Sequence, residues 1–264
     1  MKIAFCFLIY DTIQHEDLWH LFFEHVDPSL YSIYVHYKLN VPLRHFESYK
    51  LPYCVETKYA ETSVVHAQNI LLEHAIRDKN NQHFVFVSAT CIPLKAFQYI
   101  YHHLDPSVSY FNICPTSQCF PRCDSLLTYM PREHIQKASQ WCILNRAHSE
   151  LALRNMVYLH WYRDVYGPDE IFYITTIFRH GLEDELYTTP NVAAGATTFT
   201  NWYGMDYLYP CDKGLKAYSS VSEEELMYLC HSTSLFGRKF NQECSHSLLN
   251  QKYRTWISYE KHGR

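Results

Sequence analysis

The chain has 264 residues, 47% of them hydrophobic and 19% charged, so it can bury a sizeable core and is not a disordered polymer. A net charge of −4 and a pI near 6.5, with no lysine- or arginine-rich block, exclude a nucleic-acid binder that works by neutralising phosphates. Only seven glycines occur, in no G-x-G-x-x-G or P-loop arrangement, so any nucleotide is held without a glycine-rich cradle.

The apolar run Ile3–Tyr10 reads as a buried strand, far too short to cross a bilayer and without signal-peptide flanks. Glu16–Phe23 reads as a helix and Tyr31–His36 as a second strand. Ser63–Ile76 is predicted to be a helix with Val64, Ala67, Leu71, Leu72 and Ala75 on one face. His83–Ser88 is a further apolar strand, closed by Cys91-Ile92-Pro93-Leu94, and Phe97–Leu104 returns as a helix. Such alternation predicts an α/β fold with a mainly parallel sheet flanked by helices. Ligands on these sheets sit beyond the carboxyl ends of the strands, here Tyr10-Asp11, Tyr37-Lys38 and Ser88-Ala89-Thr90.

Residues 114–135 read as a long loop, Ser139–Leu144 as a strand or turn, and Ala147–Val157 as a helix. In Tyr166-Gly167-Pro168-Asp169-Glu170 the proline suits the first turn of a helix. Ile171, Thr175 and Phe178 follow at helical spacing, and Gly181 supplies a stop, which predicts a helix over Pro168–His180. Glu170 then faces the positive end of the helix dipole, and an ionised, positioned carboxylate can take a proton from a hydroxyl. Further on, the pattern predicts a strand at Thr198–Trp202, a capping box Ser222-x-x-Glu225 opening a helix to about His231, and an amphipathic helix over Ser247–Ser258.

No Gly/Ser/Pro-rich linker or repeat interrupts the chain, which reads as one domain over residues 1–264. No apolar run reaches spanning length and no N-x-[ST] sequon occurs; the ten scattered cysteines read as reduced thiols, so a soluble, cytoplasmic protein is expected. Cys114, Cys119 and Cys123, with His102 and His103 nearby, are spaced x4 and x3, unlike the paired C-x-x-C of structural zinc sites. The 23 tyrosines offer flat faces with a polar edge, suited to stacking on sugars and bases.

Four segments in order carry a resemblance: Ser88-Ala89-Thr90-Cys91-Ile92-Pro93-Leu94, Ser139-Gln140-Trp141, Pro168-Asp169-Glu170 and Leu235-Phe236-Gly237-Arg238-Lys239-Phe240. Together they resemble the core-2/I-branching glycosyltransferase family, which includes branching N-acetylglucosaminyltransferases and peptide O-xylosyltransferases. The resemblance runs from Ile3 to about Asn241 and is to a short soluble member, such as a virus encodes. It implies a GT-A type fold and an inverting transfer of xylose or N-acetylglucosamine from a UDP-sugar to a hydroxyl of an acceptor glycan. Glu170 matches the family's catalytic base; Asp169, its neighbour, is expected to point elsewhere on the helix and make a structural contact.

Most GT-A enzymes neutralise the departing diphosphate with a metal on an Asp-x-Asp motif, but Ser88-Ala89-Thr90 stands there and offers no carboxylate. The resemblance therefore implies a metal-independent enzyme with no cofactor, in which basic side chains meet the diphosphate. Lys239 and Lys216 match family positions, and Arg238 adjoins Lys239 but alternates to the other side if the segment is extended. Tyr59, Ser88, Thr90, Gln140 and Trp141 are the implied donor-side residues and Trp202 the acceptor-side one. Tyr37-Lys38 departs from the family, which often carries a uracil-binding aspartate there. Two other readings stay open: a catalytically silent nucleotide-sugar or carbohydrate-binding module, and a glycoside hydrolase. The latter needs a second carboxylate about 5–9.5 Å from the first, with Asp11, Glu61 or Asp206 as candidates.

Overall fold

The computed structural model describes residues 1–189, 195–203 and 208–258. In chain order, the first half holds β1 (Lys2–Ile9), α1 (Glu16–Phe23), β2 (Tyr31–Tyr37), α2 (Thr62–Ala75), β3 (Asn81–Ser88), β4 (Ile92–Pro93), α3 (Phe97–His103) and β5 (Ser109–Tyr110). The second half adds β6 (Ile143–Asn145), α4 (Arg146–Arg154), α5 (Phe172–Arg179), β7 (Leu186–Tyr187), β8 (Thr198–Thr200), α6 (Glu223–His231), β9 (Phe236–Arg238) and α7 (Gln251–Ile257).

A six-stranded sheet in the order β2-β1-β3-β6-β5-β7 forms the centre. β2, β1 and β3 run parallel, β6 is antiparallel to β3 and β5, and β7 is parallel to β5. Side chains of β1 alternate between two cores, Ala4 and Cys6 on one face, Ile3, Phe5, Phe7 and Ile9 on the other. α2, α4 and α5 cover the first face, and α1 and α3 cover the second. Double burial explains the unbroken apolar runs Ile3–Ile9 in β1 and Phe84–Val87 in β3. This mainly parallel sheet flanked by helices is the GT-A type arrangement.

From the carboxyl end of β3 the chain turns through Ser88–Cys91 into a second, three-stranded sheet, β4-β9-β8. In its core Ile92, Leu94 and Phe199 pack with Leu226 and Leu229 of α6 and Tyr253 and Ile257 of α7, while Phe236 of β9 packs against Phe5 and Trp19 of the large sheet's core. Asn112 links the two sheets. Its Nδ2 donates to the Thr198 carbonyl (2.9 Å), and its Oδ1 accepts from the amides of Ala196 (3.0 Å) and Thr197 (3.2 Å).

Several elements differ from expectation for identifiable reasons. The buried face of α2 contains Val65 instead of Val64, and it extends to Gln68 and Asn69. Asn69 meets its hydrogen-bonding need by donating back to the Val65 carbonyl at 2.9 Å. The expected Pro168–His180 helix is two pieces, a 3-10 turn at Pro168–Glu170 and then α5 from Phe172. The Glu170 carbonyl accepts from the Ala138 amide (2.9 Å), a bond that diverts it from the helical ladder. The carboxyl-terminal helix is likewise divided, because the Asn250 side chain accepts from the Tyr253 amide (3.0 Å) and starts α7 afresh. Ser222 caps α6 through the Glu225 amide (3.1 Å), but the Glu225 carboxylate pairs with Lys216 (2.6 Å) instead of closing the box. Residues 114–135 form short 3-10 turns joined by loop. Among the described residues no helix is long and apolar enough to cross a membrane.

Candidate active site

Three segments converge at the seam between the sheets. Residues 112–114 run beside 137–139: the Ser139 amide donates to the Asn112 carbonyl (2.8 Å) and the Cys114 amide to the Lys137 carbonyl (2.8 Å). The third segment is the turn carrying Glu170, tied to Ala138 as described. Gly167 opens that turn with φ +73°, a left-handed conformation that costs a residue with a Cβ about 1–2 kcal/mol. Its amide donates to the Ala60 carbonyl (3.1 Å), which fixes where the turn begins.

Glu170 lines a cavity of about 60 Å³ together with Gln140, Trp141, Thr200, Trp202 and Arg238. It also lines an adjoining cleft of about 720 Å³, shared with Arg122, Lys137, Trp202 and Tyr203, within the usual size of small-molecule sites. Two cations meet its Oε2, Lys137 Nζ at 3.2 Å and Arg122 Nη1 at 3.3 Å. Asp169 stands beside it, its carboxyl pushed up to about 6 by burial first and the Glu170 charge second.

Arg238 enters from the small sheet, where β9 pairs it with Thr200. Its guanidinium lies over the Trp141 ring, 4.9 Å from the centroid, and burial pulls its pKa down. Neither Arg238 Nε nor the indole Nε1 of Trp141 has a hydrogen-bond partner among the described residues. Buried donors of this kind carry a desolvation cost of about 1–3 kcal/mol each, which a ligand oxygen would relieve.

The site thus unites Glu170, Gln140, Trp141, Trp202 and Arg238 from the sequence expectations. The others sit elsewhere. Lys239 and Lys216 do not line either cavity; Lys216 pairs with Glu225 and lies over the Tyr218 ring at 4.5 Å. Arg238, the last residue of β9, lines the cavity with Glu170, whereas Lys239, just past the end of the strand, does not. Ser88 and Thr90 are buried against one another, Oγ to Oγ1 3.3 Å, and Ser88 also meets the Cys91 thiol at 3.0 Å. Tyr59 is an outer-rim residue, 89% exposed, with its ring edge-on to Tyr166 at 6.3 Å. Lys38 donates to the Thr57 carbonyl (2.6 Å) at the end of β2.

Of the alternative carboxylates, Asp11 accepts from Thr12 in a local turn and Glu61 is exposed at the start of α2, while Asp206 lies outside the described residues. The carboxyl next to Glu170 is Asp169. Cys119 and Cys123 are buried in the core, and among the described residues no group of three or more metal-ligating side chains comes together.

Sequence reasoning missed Asn112, Arg122 and Lys137. Asn112 is a polar residue inside the apolar run Tyr110-Phe111-Asn112-Ile113, and Lys137 stands just before Ser139-Gln140-Trp141; both are signals visible in the chain.

Comparison with known proteins gives the same family that the four segments suggested. The family model described as Core-2/I-Branching enzyme matches residues 3–229. The chain belongs to the core-2/I-branching enzyme family. Among curated proteins it is similar to "Glycosyltransferase BC10" of Oryza sativa subsp. japonica, 28% identical over 222 residues, which covers 70% of this chain and 55% of the rice protein. The chain therefore spans about half the length of that relative. The region matched by the family model contains Glu170, Trp141 and Trp202, whereas Arg238 lies beyond its end.

Proposed function

We propose that the protein is an inverting glycosyltransferase that moves xylose or N-acetylglucosamine from a UDP-sugar to a hydroxyl of an acceptor glycan, giving a β-linked product, without a metal. The observation that carries this reading is the placement of an acid, Glu170, and a buried guanidinium, Arg238, on the walls of one cavity at the carboxyl end of the central sheet. Family membership and the rice relative's name support the transferase class.

In this reading the acceptor enters by the larger cleft, its sugar ring against Trp202. Both ion pairs of Glu170 fall on Oε2, so Oε1 receives the acceptor proton as that oxygen attacks the anomeric carbon. The transition state is oxocarbenium-like, as in glycoside hydrolysis, and the UDP leaves from the opposite face. One carboxylate suffices, since a diphosphate departs without a proton. Charge growing on the β-phosphate falls to Arg238, whose fork suits two phosphate oxygens. Lys239 and Lys216 are second candidates for that charge. The first meets the Tyr218 amide through its carbonyl (2.7 Å), which ties its backbone to the same sheet.

The test is Glu170→Gln. Transfer from UDP-xylose or UDP-N-acetylglucosamine should fall by about 10²–10⁴-fold, while UDP affinity by calorimetry stays unchanged. Transfer at the wild-type rate would remove Glu170 as the base.

A further inference from the structure

We propose that Lys137 is the positioning residue that aims the reactive oxygen of Glu170; the inference rests on Glu170 being the base. Lys137 and Ala138 are neighbours in the chain, and both hold Glu170, one at each end. The Ala138 amide fixes the Glu170 carbonyl at 2.9 Å, and the Lys137 ammonium meets Oε2 at 3.2 Å. With the backbone and one carboxylate oxygen both set by one short segment, the rotation of the glutamate stem is fixed and Oε1 has a single direction.

The ammonium is itself confined. Its side chain is 10% exposed, and Nζ is 3.4 Å from the Cys114 thiol. The Lys137 carbonyl accepts from the Cys114 amide (2.8 Å), so the two residues are joined through main chain and side chain alike. Burying and immobilising a lysine is costly in hydration and in rotamer entropy, and the pair lies where precise placement of a carboxylate has a use.

Arg122 cannot supply the same reference. Its side chain is 37% exposed, it belongs to the looped segment 114–135, and its guanidinium rests over the Tyr166 ring at 5.5 Å. Asp169 and Arg238 flank Glu170 from its own turn and from the small sheet.

The experiment compares wild type, Lys137→Met, Lys137→Arg, Glu170→Gln and the double variant K137M/E170Q in the transfer assay. A misplaced base costs on the order of a hundredfold, so Lys137→Met should lower kcat by about that factor. The UDP dissociation constant and the donor KM should stay within about threefold. Lys137→Arg should recover kcat to within about tenfold, and the double variant should be no slower than Glu170→Gln alone, because two residues acting through one group are not additive. Should Lys137→Met fail to fold, Lys137→Gln carries the same comparison. Wild-type kcat in the lysine variant beside an inactive Glu170→Gln would overturn the positioning role and leave the base assignment standing. An active Glu170→Gln would overturn the base itself. A double variant slower than Glu170→Gln would show that Lys137 acts on something else.

Discussion

Replacing Asp169 by asparagine should make the protein more stable, and only above a certain pH. The Asp169 carboxyl is raised from 3.8 to about 6 by burial and by Glu170 beside it. A displacement of roughly two units corresponds to about 3 kcal/mol between the two protonation states. The sign follows from linkage: a raised acid binds its proton more tightly in the folded chain than in the unfolded one. That contribution is complete below about pH 4 and is lost as pH rises through about 6. Asparagine keeps the shape and never ionises. The gain from Asp169→Asn should therefore be near zero at pH 4 and level off at about 3 kcal/mol above pH 6, raising Tm by about 6 °C in a chain of this size. Urea unfolding and thermal melts of both proteins from pH 4 to pH 8, at constant ionic strength, measure it. A difference that is independent of pH, or a loss of stability at pH 7.5, would refute the reasoning.

Turnover in excess EDTA should equal turnover with added manganese; a collapse in EDTA would mean that a cation, not Arg238, takes the charge of the diphosphate. Gly167→Ala should cost about 1–2 kcal/mol in urea unfolding, since its φ of +73° suits only glycine well, and it should slow transfer by moving Glu170. Asn112→Ala would strand three buried main-chain groups, on Ala196, Thr197 and Thr198, and should cost about 3 kcal/mol by the same measurement. In a thermal-shift screen of UDP, its sugars and GDP-sugars, a true donor at 100 times its dissociation constant should add about 2.7 kcal/mol of stability. UDP-xylose or UDP-N-acetylglucosamine should be that donor.

Much of the architecture was legible because it is local. Glu16–Phe23 is a helix with the limits its pattern predicts, and the apolar runs of β1 and β3 are recognisable because they are buried on both faces. Where the chain departs from its pattern, a distant partner intervenes. Glu170 is drawn out of α5 by an amide at Ala138, and Glu225 leaves its capping box for Lys216. The site shows the same division. Glu170 and Trp141 stand in short motifs, Trp202 is reached only through the family resemblance, and Arg238 is read as the neighbour of Lys239. Lys137 is visible just before Ser139-Gln140-Trp141, but its meaning lies in a carboxylate on another segment. Asn112 is similar, because nothing in one strand reveals which sheet its amide will meet.

Glu170 is anchored through loops of the large sheet, whereas Arg238 ends a strand of the small one. In the proposed reading the wall that takes the proton and the wall that meets the diphosphate thus rest on different sheets, joined through Asn112 and through Phe236 of β9. Warming that loosens the smaller sheet would separate the two walls before the larger sheet melts. Catalysis should then fade at a temperature below the main calorimetric transition, with the far-ultraviolet signal still intact.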